Sequence, residues 1–336
     1  MSQLSALDDL TLADHELFHD YKGTAWPMPA PLAPLADTHG HLTSFREHDP
    51  AAALARAALA GVRLLVVPVD PIDDIPRRWE SVPVFLSWLD EQVETARGLL
   101  ADAAEKGFVP PVFEGVDAPE LLDNVHIVAG AHPYGAEVFD DDAKARLAEL
   151  LASPRCVGVG EFGLDLGPYS KVPREIQEEV FRYHLRLAHE LELPAELHIR
   201  ATAGDMIANA YVDAARILRD EGVPEKGCDL HCFTAGLKVM ENFTNLGCHI
   251  AFGGAATFTR SEDIREAATF CAERKLLTET DSPYMAPVPM RGAECEPAMV
   301  GFTAALIADV REKAGRASRQ ATYDALWRNA CGFFGL

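Results

Sequence analysis

Two histidines separated by one residue, His39 and His41, are the first side chains whose types and spacing suggest chemistry. They follow a short apolar run typical of a β-strand, and residues i and i+2 of a strand point to the same side. Both imidazoles can therefore reach one point. Neutral imidazole is the commonest nitrogen ligand of catalytic divalent metals, although a His-x-His pair alone is weak evidence because polar surfaces also contain it.

Four more ligand-type side chains stand at the ends of other short apolar segments: Glu161, His198, His231 and Asp281. Four imidazoles and two carboxylates are too many for one tetrahedral metal and suit two metals that share a bridging carboxylate. We therefore predict two divalent ions, which could be zinc, manganese or magnesium because mixed imidazole and carboxylate ligands accept all three. The alternative is a set of polar strand caps that face solvent.

Alternating β-like and helical segments must position these ligands. The strands are predicted at residues 35–39, 63–69, 125–131, 156–161, 195–199, 228–233, 248–252 and 276–280, and the helices at 50–60, 85–106, 141–151, 173–191, 205–221, 238–246, 261–274, 297–313 and 319–334. Strict alternation implies parallel strands with right-handed crossovers, and eight units predict an α/β fold of the (β/α)8 TIM-barrel type. Every strand of such a barrel ends on the same face, which would bring the six ligands together.

The domain organisation is predicted as one barrel with two additions. Residues 1–33, with a proline-rich end, are predicted to form an N-terminal extension, and residues 34–336 the barrel. The second crossover, at about residues 70–124, is long and rich in proline and acid. We expect it to be an insertion over the mouth or side of the barrel.

Composition limits the binding partners and the cellular compartment that we expect. The 336 residues are 48% hydrophobic and carry a formal net charge of −22, which opposes long-range attraction to nucleic-acid phosphates but not phosphate chemistry in which metals supply the positive charge. No apolar run approaches the roughly 20 residues that cross a bilayer, and the acidic N-terminus is not a secretory signal. Seven scattered cysteines without a Cys-x-x-Cys pair indicate a reducing compartment. We expect a cytoplasmic monomer without a membrane partner.

The motifs, taken in order, resemble those of the TatD family of metal-dependent deoxyribonucleases, in the amidohydrolase-like barrel superfamily. The matching stretches are DTHGHL at 37–42, GAHP at 130–133, GEFGLD at 160–165, LHIR at 197–200, HCFTAG at 231–236 and ETDSPY at 279–284. The resemblance covers residues 35–334.

The resemblance implies two metal sites that share one carboxylate. His39, His41, Glu161 and Asp281 would hold one metal, and Glu161, His198 and His231 would hold the other. A water between the metals would be activated for in-line attack on a phosphodiester, with DNA or a small phosphodiester as substrate. Glu161 and Asp281 are therefore the candidate catalytic residues, and Asp281 could also accept the proton of the water.

Residues around these ligands add a substrate contact and some departures. Arg200 could bind a phosphate oxygen with two hydrogen bonds, or could form a surface salt bridge. His132 is interpreted as a structural hydrogen-bonding residue. Cys295 replaces the usual Asn of the family, and Glu196 replaces an apolar strand residue. Neither departure removes a ligand, so substrate identity is affected more than metal binding.

The sequence also allows other interpretations of the function. A hydrolase of the same barrel that acts on a small amide, lactone or phosphate ester is the main alternative, and the acidic composition favours it. His15 and His19 fit the His-Glu-x-x-His pattern of helical zinc sites in metalloproteases, although no third ligand is evident. A metal-binding barrel without turnover is a further alternative. The Gly-x-Gly-x-x-Gly pattern at 158–163 is rejected as a dinucleotide site because Gly167 and Pro168 prevent the helix such a site requires.

Overall fold

The computed structural model describes residues 16–202, 204 and 209–336. Its strands are β1 (Phe18–His19), β2 (Ala25–Trp26), β3 (Leu35–Asp37), β4 (Val62–Val69), β5 (Val125–Ala129), β6 (Cys156–Asp165), β7 (Ala195–Arg200), β8 (Cys228–Leu230), β9 (His249–Phe252) and β10 (Leu276–Thr278). Its α-helices are α1 (Pro50–Leu59), α2 (Val82–Glu105), α3 (Asp141–Leu151), α4 (Arg174–Glu190), α5 (Asn209–Glu221), α6 (Leu237–Leu246), α7 (Glu262–Phe270), α8 (Val300–Lys313) and α9 (Arg319–Phe334). The predicted helix start at 205–208 lies outside the described residues.

Strands β3 to β10 form one parallel sheet in which the order of the strands follows the chain. The two end strands also meet, because the backbone N–H of Thr38 donates to the carbonyl oxygen of Thr278 at 3.1 Å. The Thr278 hydroxyl donates to the carbonyl oxygen of Ala36 at 3.2 Å, and Gly40 and Ser282 form a parallel bridge just beyond. These contacts close the sheet, and the predicted TIM-type barrel is confirmed.

The inside of the barrel is a packed core at its lower end. All residues of β4 are buried, as expected for a parallel strand covered on both faces. Leu64 and Val66 of β4 pack with Val128 and Leu277 inside the barrel, where Phe333 of α9 also contacts the cluster. Helix α9 contacts both β3 and β10. Polar side chains in the lumen therefore lie towards the other end of the barrel, where the strands end.

Strand β6 is longer than the sequence pattern predicted. The prediction ended this strand at Glu161, but β6 continues to Asp165. The extension forms because Phe162 to Asp165 pair in parallel with Leu197 to Arg200 of β7, after a register shift that follows Val159. Glu161 consequently lies within a strand, at the register shift between its two paired stretches.

The predicted additions pack on the outside of the barrel. Strands β1 and β2 form an antiparallel hairpin, and Phe18, only 2% exposed, lies with its ring centroid 5.3 Å from that of Phe302 in α8. The longest element of the predicted insertion is helix α2, which packs against α1. Its Phe85 and Leu89 are fully buried. Among the described residues, no helix has the length and apolar character that crossing a bilayer requires.

A buried ion pair joins helix α1 to the segment that precedes α8. The carboxylate of Glu296, 1% exposed, accepts a hydrogen bond from Arg56 Nε at 2.6 Å and contacts His48. Burial opposes ionisation of Glu296, but Arg56 and His48 outweigh it and lower the pKa from its ordinary 4.5 to about 2.

We therefore expect E296Q to lower the free energy of unfolding at pH 7 by about 3 kcal/mol, which is the pKa shift expressed as energy. Because the folded pKa is depressed, this contribution is complete above the unfolded pKa and is lost as the pH falls towards 2. Urea denaturation at pH 7 and pH 3 measures it. The exposed Glu94, paired with Arg97 on α2, supplies the matched control E94Q, with a change below about 1 kcal/mol. Equal losses in wild type and E296Q between pH 7 and pH 3 would contradict the prediction.

Candidate metal centre

The six predicted ligands meet at the end of the barrel where the strands finish. His39 and His41 follow β3, Glu161 lies in β6, His198 lies in β7, His231 follows β8 and Asp281 follows the end of β10. Two backbone hydrogen bonds join the loops after β3 and β10: Asp281 N–H donates to the His39 carbonyl at 2.9 Å, and His41 N–H to the Ser282 carbonyl at 2.7 Å. The first two histidines and Asp281 are therefore held in a fixed relation by the backbone.

One group of donors consists of His39, His41, Glu161 and Asp281. The Nε2 atoms of the two histidines lie 3.1 Å apart. Asp281 Oδ1 lies 3.9 Å from His39 Nε2 and 3.6 Å from His41 Nε2. Glu161 Oε1 lies 3.7 Å and 3.5 Å from the same two nitrogens. These four donor atoms surround one small space.

A second group forms on the other oxygen of Glu161. His198 Nδ1 lies 3.0 Å from both Glu161 Oε2 and His231 Nε2. His231 Nε2 lies 2.9 Å from the same carboxylate oxygen. The three donor atoms form a nearly equilateral triangle, and Glu161 thus faces one group with each of its oxygens.

The donor chemistry fits divalent metal ions. In each group, nitrogens of two imidazole rings face each other. The other ring nitrogen of His39 contacts the carboxylate of Glu196, and the other ring nitrogen of His198 contacts that of Asp165. A neutral imidazole has one N–H, so a hydrogen on the carboxylate side leaves a lone pair directed into the group. Converging lone pairs and carboxylate oxygens favour a cation, and the described residues that could hold one include His39, His41 and Asp281.

Carboxylates behind the rings were not predicted from the sequence. Glu196 Oε1 lies 2.7 Å from His39 Nδ1, Asp165 Oδ2 lies 3.2 Å from His198 Nε2, and Glu279 Oε1 lies 3.9 Å from His231 Nδ1. Such partners fix the tautomer and the orientation of metal-binding imidazoles. The signal available in the sequence was the position of Glu196 and Glu279, each two residues before a candidate ligand on the same face of its segment.

The electrostatics of Glu161 show how the site keeps a buried carboxylate ionised. Burial opposes ionisation, but His231, His132 and His198 outweigh it and hold the pKa of Glu161 well below its usual range. Burial raises the pKa of Asp281, an effect that His231 and His41 only partly offset. The two carboxylates of the site therefore differ: one is held as the anion, and the other is the stronger proton acceptor.

The histidines also divide into two kinds. Burial, and then the adjacent His231, hold the pKa of His39 well below its usual range, so its ring is neutral and able to bind metal. For His198, burial opposes protonation, but hydrogen bonds to Asp165 and Glu161 outweigh it and raise the pKa to about 9. Metal binding at His198 must therefore displace a proton.

His132 lies beside the second group without joining it. Its Nδ1 accepts the backbone N–H of Tyr134 at 3.2 Å, which places its hydrogen on Nε2. That Nε2 lies 4.0 Å from Glu161 Oε2. Burial, followed by the effect of His198, lowers the pKa of His132 to about 3. His132 is thus a neutral ring whose N–H lies near the central carboxylate without donating a hydrogen bond to it.

Two residues of the site have left-handed backbone conformations. Cys232 has φ of 45° and Asp281 has φ of 56°, a region that non-glycine residues rarely occupy. Cys232 is held there because its backbone N–H donates to the carboxylate of Glu279. Close packing also constrains β6, since a side chain at Gly163, with φ of 152°, would overlap the carbonyl oxygen of His198. Backbone strain of this kind is typical of functional sites.

Arg200 and the histidines of the N-terminal motif lie in different surroundings. Arg200 is two residues beyond His198 on β7, is exposed, and places its guanidinium 5.5 Å from the ring centroid of Tyr169. His19 lies in strand β1, so the helix that the metalloprotease motif requires is absent at that residue. His15 lies outside the described residues. The structure thus brings six predicted ligands together and leaves His19 outside the site.

Comparison with known proteins identifies the protein family to which this chain belongs. A sequence model of the TatD-related DNase family matches residues 36–335. The metal-dependent hydrolase YabD of Bacillus subtilis is 32% identical over 229 residues, which are 67% of this chain and 85% of YabD. The chain belongs to the TatD-related DNase family. The predicted resemblance to TatD proteins and the predicted class, a metal-dependent hydrolase, are therefore confirmed.

Two other TatD proteins are similar to this chain over different shares of its length. The crystal structure of YjjV, a TatD homologue from Escherichia coli, superposes with a TM-score of 0.68 at 25% identity over 91% of this chain and 99% of YjjV. The 3'-5' ssDNA/RNA exonuclease TatD of Citrobacter koseri is 31% identical over 160 residues, which are 47% of this chain and 58% of that protein. The likeness to YjjV thus spans about nine-tenths of this chain and nearly all of YjjV.

Proposed function

We propose that this TatD family member is a two-metal phosphodiesterase that hydrolyses DNA, with zinc, manganese or magnesium as the metal. The observation that carries the proposal is the position of Glu161, whose two oxygens face two separate groups of donor atoms. His39, His41 and Asp281 would complete one site, and His198 and His231 the other. Metals bound there would polarise the phosphoryl group and lower the pKa of a water molecule.

Asp281 is the residue that we propose accepts the proton of the attacking water. Its carboxylate lies at the edge of the first group, and its side chain is 15% exposed, whereas that of His39 is fully buried. Burial raises its pKa, which makes it a stronger base than an ordinary aspartate. Glu161, held as the anion between the groups, is unsuited to that task and serves to join them.

Arg200 is the residue that we propose binds the phosphate. Alternate residues of a strand share a face, so Arg200 lies on the same face of β7 as His198 and further towards solvent. A guanidinium offers a planar pair of donors that match two phosphate oxygens. A strand end or a nucleotide that reached the metal centre would therefore meet this cation at the rim.

The substrate proposal draws on a relative and on charge. The Citrobacter koseri relative is named as an exonuclease of single-stranded DNA and RNA. The net charge of −22 disfavours a long contact with a nucleic acid and favours action at strand ends. The same charge supports the second candidate, a hydrolase of a small phosphate ester that needs no extended contact. A substrate panel separates the two candidates.

The proposal also includes a cellular compartment and an oligomeric state. All seven cysteines are free thiols, an arrangement in keeping with a reducing cytoplasm. We propose a monomer, because all six ligands come from one chain and complete one site.

Metal content is expected to follow the two groups of donors. H41A should release the ion of the first group and H198A that of the second, whereas E161A should weaken both because Glu161 faces both. Metal analysis by mass spectrometry after dialysis measures the content. H189A is the matched control, since His189 lies on outer helix α4 and contacts the carbonyl oxygen of Gly222 at 3.2 Å. Loss of the same single ion in H41A and H198A would contradict the two-site arrangement.

Hydrolysis is expected to depend on Asp281. D281N should lower kcat on a single-stranded oligonucleotide by about a hundredfold or more, because a neutral amide cannot accept a proton. The assay uses metal-loaded protein with single-stranded DNA, duplex DNA, a bis-aryl phosphodiester and a lactone. D141N is the control, as Asp141 is 99% exposed on α3. Turnover of the lactone with no cleavage of either DNA would overturn the proposal.

Binding of the phosphate is expected to depend on Arg200. R200A should raise KM for single-stranded DNA by about tenfold, the usual value of one hydrogen bond to a charged group. R200K should recover only part of this loss, because lysine keeps the charge but not the paired donors. Steady-state kinetics measure KM and kcat, with R328A on α9, 63% exposed, as the control. An unchanged KM in R200A would show that Arg200 does not contact substrate.

A further inference from the structure

Strand β7 carries three functional side chains at alternate positions. Glu196, His198 and Arg200 share the face that points into the barrel, and they follow one another from the lumen towards the rim. His198 is a candidate ligand and Arg200 a candidate phosphate contact. Glu196, the innermost of the three, has no place in the proposed reaction, although its carboxylate is only 1% exposed.

A buried carboxylate needs a partner, and Glu196 has one across the lumen. Its Oε1 lies 2.7 Å from Nδ1 of His39, whose ring is fully buried. Its Oε2 has no hydrogen-bond partner among the described residues. A polar group buried this deeply is costly unless it has a hydrogen-bond partner, and His39 is the partner that the described residues supply.

Glu196 is not itself placed to bind the metal. The described residues that could hold an ion fall into three groups, and none of the three includes Glu196 or its neighbour Asp229. The contact with His39 is therefore the route by which Glu196 can act. His39 presents Nε2 to the first group, and this nitrogen is free to bind metal only when the hydrogen lies on Nδ1, opposite Glu196.

We propose that Glu196 is a positioning residue, which fixes the tautomer and ring orientation of His39 and thereby raises the affinity of the first metal site. The inference rests on the proposed metal centre. It makes β7 the support of both groups, through His198 directly and through Glu196 by way of His39.

The test measures binding of Zn²⁺ alone, by competition with a chromophoric chelator, on metal-stripped full-length protein. E196L removes the acceptor for the Nδ1 hydrogen of His39 and puts an apolar side chain of similar size in its place. It should weaken the affinity of one Zn²⁺ site by about 10- to 100-fold. E196Q keeps an oxygen acceptor for the Nδ1 hydrogen, and it should lose no more than about threefold, since only the charge assistance of the bond is removed. A Zn²⁺ affinity close to wild type in E196Q, together with a weakened affinity in E196L, would show that the orientation of the His39 ring matters and not the charge of Glu196.

Asp229 provides a matched control for charge. It pairs in register with Glu196 on β8, is fully buried, and has no hydrogen-bond partner for either oxygen among the described residues. D229N should leave both Zn²⁺ affinities within about threefold, because no ring depends on this carboxylate. Melting of the metal-free forms of E196L and E196Q measures any damage to the fold, since E196L leaves the buried Nδ1–H of His39 without its acceptor. A change of Zn²⁺ affinity without loss of metal-free stability thus excludes general damage to the fold.

The outcomes are distinct. Wild-type affinity in E196L would overturn the inference and leave the metal centre intact. Equal weakening in E196Q and E196L, or in D229N, would show that negative charge rather than ring orientation is responsible, and would also overturn it. Failure of the wild-type protein to bind Zn²⁺, Mn²⁺ or Mg²⁺ would overturn the proposed function itself.

Discussion

One buried carboxylate, that of Glu161, is the point on which the site depends. Nitrogens of five imidazoles lie within 4.0 Å of its two oxygens, from His39, His41, His132, His198 and His231. A carboxylate in this position would be neutral without them, because burial penalises its charge. The rings in turn come from four different strand ends, so the charge of Glu161 exists only in the closed barrel. The metal-binding capacity and the fold are thus coupled through a single side chain.

The rings around Glu161 are held from behind by other carboxylates. Glu196 faces His39, Asp165 faces His198, and Glu279 lies near His231. Glu196 and Asp165 are within hydrogen-bond distance of their rings, and each directs the opposite ring nitrogen towards the centre. This arrangement places buried oxygen atoms behind the rings and directs ring nitrogens towards the centre, which favours occupation by cations. The lower lumen is closed by apolar side chains, so the polar layer is confined to the end that opens to substrate.

Local patterns predicted the ligands but not their supports. His39, His41 and Asp281 adjoin apolar strands, and the rule that parallel strands end on one face was sufficient to bring them together. The contact of His39 with Glu196 joins residues 157 positions apart, and although the position of Glu196 two residues before His198 places it on the ligand face, no local pattern pairs it with His39. The end of β6 was misplaced for the same reason, because the pairing with β7 that extends it is tertiary. Strand register, rather than strand identity, was the missing information.

The acidity of the chain restricts how a nucleic acid can approach. Screening at physiological ionic strength limits charge effects to about 8 Å, so distant surface carboxylates act weakly on a bound phosphate. Two divalent ions would place four positive charges against the two negative charges of Glu161 and Asp281, and Arg200 adds one more at the rim. Under the proposed function, attraction for a phosphate would therefore be strongest at the site itself. Under the same proposal, a strand end that inserts one phosphate would use this attraction fully, without the extended basic surface that a long contact with a duplex requires.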